Sequence, residues 1–288
     1  MTKVVSNNNT YGGPSVYSQM RISNSLGVFL RGLQGFIACL IFGAAQAQTQ
    51  IHVPLDYATI QAAINASVSG DTVLVSAGTY HENINFLGKA ITVKSESGPN
   101  VTIIDGSSAN PVVAFSTGET AASVLAGFTL QNGKASLASG YSGGGIWISF
   151  ASPTIKGNII TNNIACGGGA GIASISGSPL IQGNVITANT QLGCNGGAGG
   201  GGILVQGNSS AQILQNVISG NSWTSAAGGG LSLSAAGTPL IRGNIVNSNR
   251  ASDGGGIWMT GDSNASIIQN VIGQNTAFHA GIRWPCGR

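Results

Sequence analysis

Side chains able to do acid–base, nucleophilic or metal chemistry are scarce in this chain: eight Asp and Glu, three His and four Cys in 288 residues. Acid–base work on a sugar needs two carboxylates at a fixed separation, yet from residue 120 onward the only acids are Asp253 and Asp262. Asp253 precedes the glycine run 254–256 and Asp262 lies in the next bend, so their spacing does not bring them together, and both read as surface bend residues. His81 and Glu82 are adjacent in Gly-Thr-Tyr-His-Glu-Asn, but neighbours on a strand point to opposite faces, which speaks against a catalytic pair. His279 and Arg283 are a weaker pairing still. No His, Cys or carboxylate cluster has ligand spacing, so neither a metal nor a cofactor is expected, and catalytic residues are left unassigned.

The elements that position these residues are repeats. Pro153–Asn163 (Pro-Thr-Ile-Lys-Gly-Asn-Ile-Ile-Thr-Asn-Asn) is written five times, with Asn158 answered by Asn184, Asn216, Asn244 and Asn270 at intervals of 26, 32, 28 and 26 residues. An isoleucine stands three residues before each, and a second asparagine five after: Asn163, Asn189, Asn221, Asn249 and Asn275. Periods in this range mark a solenoid, in which one copy cannot bury its apolar face but stacked copies can. The expected turn has a Gly-rich bend, a strand such as Gly145-Ile146, a strand through Ile155, a bend at Gly157-Asn158 and a strand through Ile160. Asparagines at one coil position should form amide ladders, as in other stacked parallel sheets, and asparagine tolerates the left-handed conformation of a bend. Pro153, Pro179 and Pro239 cannot donate to a ladder, which puts their position in a bend.

Composition limits the rest. Only 7% of residues are charged, against about 25% in ordinary globular chains, so the surface must be built from Ser, Thr, Asn, Gln and Gly. Residues 1–47 read as a secretion signal, with Lys3, Arg21 and Arg31 as the only charges, an apolar run from Phe36 to Ala45 and a small-residue site at Ala45-Gln46-Ala47. Met20 offers an alternative start, and the apolar run is too short to span a bilayer. Export to the periplasm, the cell surface or the medium is expected. With three of the eleven cations in the leader, residues 48–288 hold eight basic and eight acidic side chains, so the basic footprint of a nucleic-acid binder is absent. Cys166 and Cys194 occupy corresponding loops of adjacent repeats, where a disulfide and two free thiols both fit. Cys286 is left over.

Residues 48–70 should hold a strand and a helix over Tyr57–Ala66 capped by Asp56, with Ile60, Ala63 and Ile64 on one face. Strands of three to five residues follow, among them Thr72–Val75 and Val101–Asp105. This opening, with Gly-Asp-Thr-Val at 70–73 and Gly-Thr-Tyr-His-Glu-Asn-Ile at 78–84, resembles right-handed parallel β-helix proteins of the pectate-lyase-like superfamily. The resemblance covers residues 51–284 and implies an all-β fold: a right-handed parallel β-helix over 71–288, with a short N-terminal capping helix and five regular coils from about residue 143. It implies no single activity, because lyases, hydrolases, esterases, epimerases and non-enzymes share the architecture. The acid clusters, paired aspartates and Asp-Pro-His-Glu motif that such enzymes use are missing here. A sixth copy begins at Ala280-Gly281-Ile282 without a visible cap, which raises two expectations: a chain truncated relative to its relatives, or end-to-end self-association.

The binding candidates are aromatic. Trp147 and Trp258 follow the inward Ile146 and Ile257, so both should point outward on one face, with Ala173, Leu204 and Ser232 between them. Four coils separate them, roughly 19 Å at about 4.8 Å per coil. Outward aromatics on a neutral, amide-rich face can stack on sugar rings, and packing against a neighbouring loop is the competing reading. Tyr141 and Trp284 would extend the patch. The expected function is non-catalytic binding of an extended polymer such as a polysaccharide. A lyase or hydrolase with a degenerate site, and a structural envelope protein, are the alternatives.

Overall fold

A computed structural model describes residues 48–136, 142–193, 199–224 and 227–278. The expected leader (1–47), Tyr141, Cys194, His279, Ile282, Arg283, Trp284 and Cys286 lie outside the described residues. The chain winds as a parallel solenoid whose regular coils each contribute one strand to every sheet. Taking one coil as the example, Thr154–Lys156 lies in sheet 1, Ile159–Thr161 in sheet 2, Ile164–Ala165 in sheet 3 and Ile172–Ile175 in sheet 4. Among the described residues these sheets hold nine, eight, six and seven strands, and each strand pairs in parallel with the strands one coil before and after. Sheet 3 is an addition to the expected turn. Its two-residue strands carry no repeated apolar pattern that a sequence could show.

Inward residues stay in register from coil to coil. Sheet 1 stacks Leu125, Ile155, Ile181, Ile213 and Ile241, and sheet 2 stacks Leu130, Ile160, Ile186, Ile218 and Val246, all fully buried. Burying one such side chain is worth about 1.5–3 kcal/mol, so each added coil contributes several such terms to one continuous column.

The asparagines close the corners between these sheets. Asn158 Nδ2 donates to Asn184 Oδ1, Asn184 to Asn216, Asn216 to Asn244 and Asn244 to Asn270, at 2.9–3.1 Å. The second set runs likewise through Asn163, Asn189, Asn221, Asn249 and Asn275. Each amide oxygen also accepts the backbone N–H of the preceding asparagine, as in Asn184 N to Asn216 Oδ1 at 2.9 Å. One coil earlier Phe128 fills the Asn158 position, and its N–H donates to Asn158 Oδ1. The left-handed residue of each corner is not the ladder asparagine, as expected, but the residue before it. Gly157, Gly183, Gln215, Gly243 and Gln269 have φ of 56–68°, and Asn162, Ala188, Gly220, Ser248 and Gln274 have φ of 53–64°. One left-handed residue turns the chain sharply, and the extended residue after it projects its amide into the corner, away from water.

The short helix is α1, Ile60–Ala66, with Ile60, Ala63 and Ile64 buried on the first coil. It starts later than expected, and Thr59 caps it in place of Asp56, the Thr59 hydroxyl accepting from Ala62 N at 3.1 Å. Asp56 instead accepts from His52 N at 2.7 Å. Glu82 takes the N–H groups of Ile60 and Gln61, both at 2.9 Å, and Lys89 Nζ donates to the carbonyls of Ile64, Asn65 and Ser67 at the other end. These contacts satisfy donors and acceptors that a helix cannot satisfy internally. Among the described residues no helix is long and apolar enough to cross a membrane.

Candidate functional site

Acid–base candidates disperse in the fold. Glu82 is committed to the α1 N-terminus, while His81 stands on the strand partnering Asp105 and has only Ser107 Oγ near its Nδ1, at 3.5 Å. Asp105 is buried and accepts from Asn132 Nδ2 at 2.7 Å, Gln131 Nε2 at 2.9 Å and Ser107 N at 2.9 Å. Burial alone would push its carboxyl up, but these hydrogen bonds, with His81 nearby, hold it below the usual carboxylate range. Asp71 is likewise held low by the N–H groups of Val68 and Thr49, against the opposing effect of burial. A cavity of about 540 Å³ beside α1 is lined by Asp71, Asp56 and Tyr57, yet both carboxylates already accept backbone N–H groups. Asp253 and Asp262 are exposed in separate bends. Among the described residues no group of three or more His, Cys, Asp or Glu side chains could hold a metal ion.

The aromatic candidates fall where the register predicts. Trp147 aligns with Ala173, Ala173 with Leu204, Leu204 with Ser232 and Ser232 with Trp258, all on the outer face of sheet 4. Both tryptophans are half-buried. The row between them is not the open strip that the sequence suggests, because Ala173, Leu204 and Ser232 are fully buried. Glycine-rich loops lie flat on that row. A Cβ at Gly168 would stand 2.6 Å from Leu204 Cδ2, and one at Gly169 would stand 2.7 Å from Ala173 Cα. Only glycine permits this approach.

Trp258 has a neighbour that the sequence did not reveal. A second apolar cluster, separate from the main core, contains Ala135, Ala165, Ala170, Trp223, Ala227 and Ala251, with Trp258 packed against it. Trp223 lies in sheet 3, aligned with Ala251, and is fully buried; a side chain at Gly199 would collide with its indole. Among the described residues, its Nε1–H and the buried Ser252 hydroxyl have no hydrogen-bond partner. Trp258 therefore packs on the cluster that contains Trp223 of the adjacent coil, while Trp147 lies four coils from Trp258. The signal for Trp223 was available: two residues after the second asparagine, other coils place Ala165, Ala251 and Ala277. Cys166, next to Ala165, is disulfide-bonded.

Leu204 and Ser232, which align beside Trp258 along the row, and Ala251 and Ser252 of the neighbouring sheet-3 segment are all buried, with exposed Arg250 and Asp253 on either side of that segment.

A comparison with curated proteins finds none that matches. A family model described as a right-handed β-helix region matches residues 90–277, a span that contains every regular coil and both outward tryptophans. By register, by coil architecture and by this match, the chain belongs to the right-handed β-helix family.

Proposed function

We propose that this protein is an exported, non-catalytic β-solenoid that binds an extended, uncharged polymer, a polysaccharide in the first instance, along its outer face. The observation that carries the reading is Trp258: outward, half-buried and backed by the Trp223 cluster, on a surface with few ionic groups. An indole backed in this way presents a rigid apolar plane at little cost in side-chain entropy. Trp147, four coils away in the same row, supplies a second contact for a ligand long enough to run parallel to the solenoid axis. The dispersal of Glu82, Asp105, Asp253 and Asp262 supports binding without cleavage. Export places the protein in the periplasm, on the cell surface or in the medium, where such polymers occur.

Titration of neutral and acidic polysaccharides against intrinsic fluorescence tests the reading. A saturable response that Trp258→Ala abolishes and Trp147→Ala weakens is expected, with no new reducing ends and no unsaturated uronates. Release of either product would replace binding with catalysis. No response to any glycan would remove the polysaccharide.

A further inference from the structure

Charge is unevenly placed along the solenoid. Six of the eight acids lie before residue 120, and residues 120–252 hold four cations, Lys134, Lys156, Arg242 and Arg250, and no acid. Asp253 ends the acid-free stretch. Lys156 and Arg242 are exposed, three coils apart in one outward row of sheet 1, next to the buried Ile155 and Ile241. Lys134, half-buried, and Arg250, exposed, stand four coils apart in the outward row of sheet 3, next to the buried Ala135 and Ala251. At about 4.8 Å per coil the two rows span about 14 and 19 Å. Among the described residues none of the four is paired with a carboxylate; the Arg250 guanidinium lies over the Phe278 ring at 4.8 Å.

Sheet 2 runs between these two rows, and its strands carry no charge from residue 129 onward. Its outward positions form two ranks. Ile159, Val185, Val217 and Ile245 align in four successive coils, and Thr161, Thr187, Ser219 and Asn247 align alongside. A sheet face open to water ordinarily carries polar residues outward. Val185 and Ile245 are nevertheless 37% and 41% exposed, in coils that are stacked on both sides. The exposed aliphatics therefore belong to the body of the solenoid.

We propose that this face docks on an anionic lipid bilayer, the sheet-2 aliphatics entering the headgroup layer and the flanking cations contacting lipid phosphates. Exposed aliphatics bordered by cations combine the two contributions, apolar burial and attraction to anionic lipid, that hold a protein at a membrane surface without spanning it. A second copy of the chain would set the same four cations against one another. A linear polyanion would follow one line of charge, whereas here two lines bracket an uncharged strip. The docking is independent of the polymer-binding reading, because Trp147 and Trp258 face outward from sheet 4.

Cosedimentation of the full chain with vesicles of equal parts phosphatidylglycerol and phosphatidylcholine tests it. Saturable binding is expected, weakened by salt and much weaker with phosphatidylcholine alone. Each cation removed should lower the partition coefficient about fivefold, so Lys156→Gln with Arg242→Gln, and Lys134→Gln with Arg250→Gln, should each lower it about 25-fold. Val185→Thr with Ile245→Thr keeps the β-branched shape and should weaken binding several-fold while the thermal melt stays unchanged. Trp258→Ala should bind vesicles as the wild type does. Residues 1–47 are common to all these chains, so any contribution of theirs cancels in the comparison. No vesicle binding, equal binding to phosphatidylcholine alone, or undiminished binding in both folded charge variants would overturn the proposal. Charge-dependent binding of soluble polygalacturonate without vesicle binding would overturn it in favour of an acidic polymer.

Discussion

Replacing one mid-ladder asparagine should cost far more than an exposed polar residue in a coil would suggest. Asn216 accepts from Asn184 N at 2.9 Å and from Asn184 Nδ2 at 3.0 Å, and donates to Ile181 O at 2.9 Å and Asn244 Oδ1 at 3.0 Å. In Asn216→Ala the Asn184 N–H loses its partner in a buried corner, while the Ile181 carbonyl keeps its place in the parallel ladder with the next coil. Asn184 Nδ2 still reaches Ile155 O, and Asn244 Oδ1 still accepts Asn216 N. One newly unpaired buried group at about 1–3 kcal/mol gives a loss of about 2 kcal/mol, a fall in Tm of about 4–8 °C for a domain of this size. Asn270→Ala removes the equivalent group from a half-buried position where water can replace it, and should cost about 1 kcal/mol. Asn247→Ala, outward on sheet 2, should stay within about 0.5 kcal/mol of wild type. Urea and thermal unfolding followed by far-UV circular dichroism measure all three. Equal losses for Asn216→Ala and Asn247→Ala would refute the ladder as a source of stability. A solenoid can unfold piecewise, so hydrogen exchange of the flanking coils should accompany the melts.

Three further outcomes are expected. Ala188 is exposed at φ 54°, a region that costs an L-residue about 1–2 kcal/mol. After the greater backbone entropy of glycine is subtracted, Ala188→Gly should gain roughly 0.5–1 kcal/mol in the same melts. The carboxyls of Asp105 and Asp71 are lowered in the folded state, so their contribution is present above the unfolded value near pH 3.9 and is lost as pH falls through the lower folded values. Thermal melts should therefore weaken only below about pH 4, and Asp105→Asn should flatten that acid limb. Non-reducing peptide mapping should recover Cys166 joined to Cys194, with Cys286 in a separate peptide. Recovery of Cys166 as a free thiol would contradict the bonded state.

How much of this was legible in the sequence depended on repetition. Ile155 and Asn158 recur with their neighbours in five copies, so the buried column and the ladders could be read before any coordinates. The residue that makes each corner could not be read, because Gly157, Gln215 and Ser248 share a backbone angle and little chemistry. Sheet 3 was hidden for a similar reason. Its strands read Lys-Ala, Ile-Ala, Thr-Gln, Ser-Trp, Arg-Ala and Thr-Ala, and two residues cannot show a period. At the candidate site, the alignment of Trp147 with Trp258 followed from counting. The burial of Ala173, Leu204 and Ser232 did not, because it depends on where glycine loops from other coils fold back. Trp223 was an exception within a repeat, visible only once its sheet was known.

The decisive measurement is the polysaccharide titration carried out on wild type and Trp258→Ala together, with product analysis of the same mixtures. Saturable binding to a neutral polymer, lost in Trp258→Ala while the melt is unchanged and no bond is cleaved, is the predicted result. Undiminished binding in a folded Trp258→Ala protein, or accumulation of cleaved polymer, would contradict it.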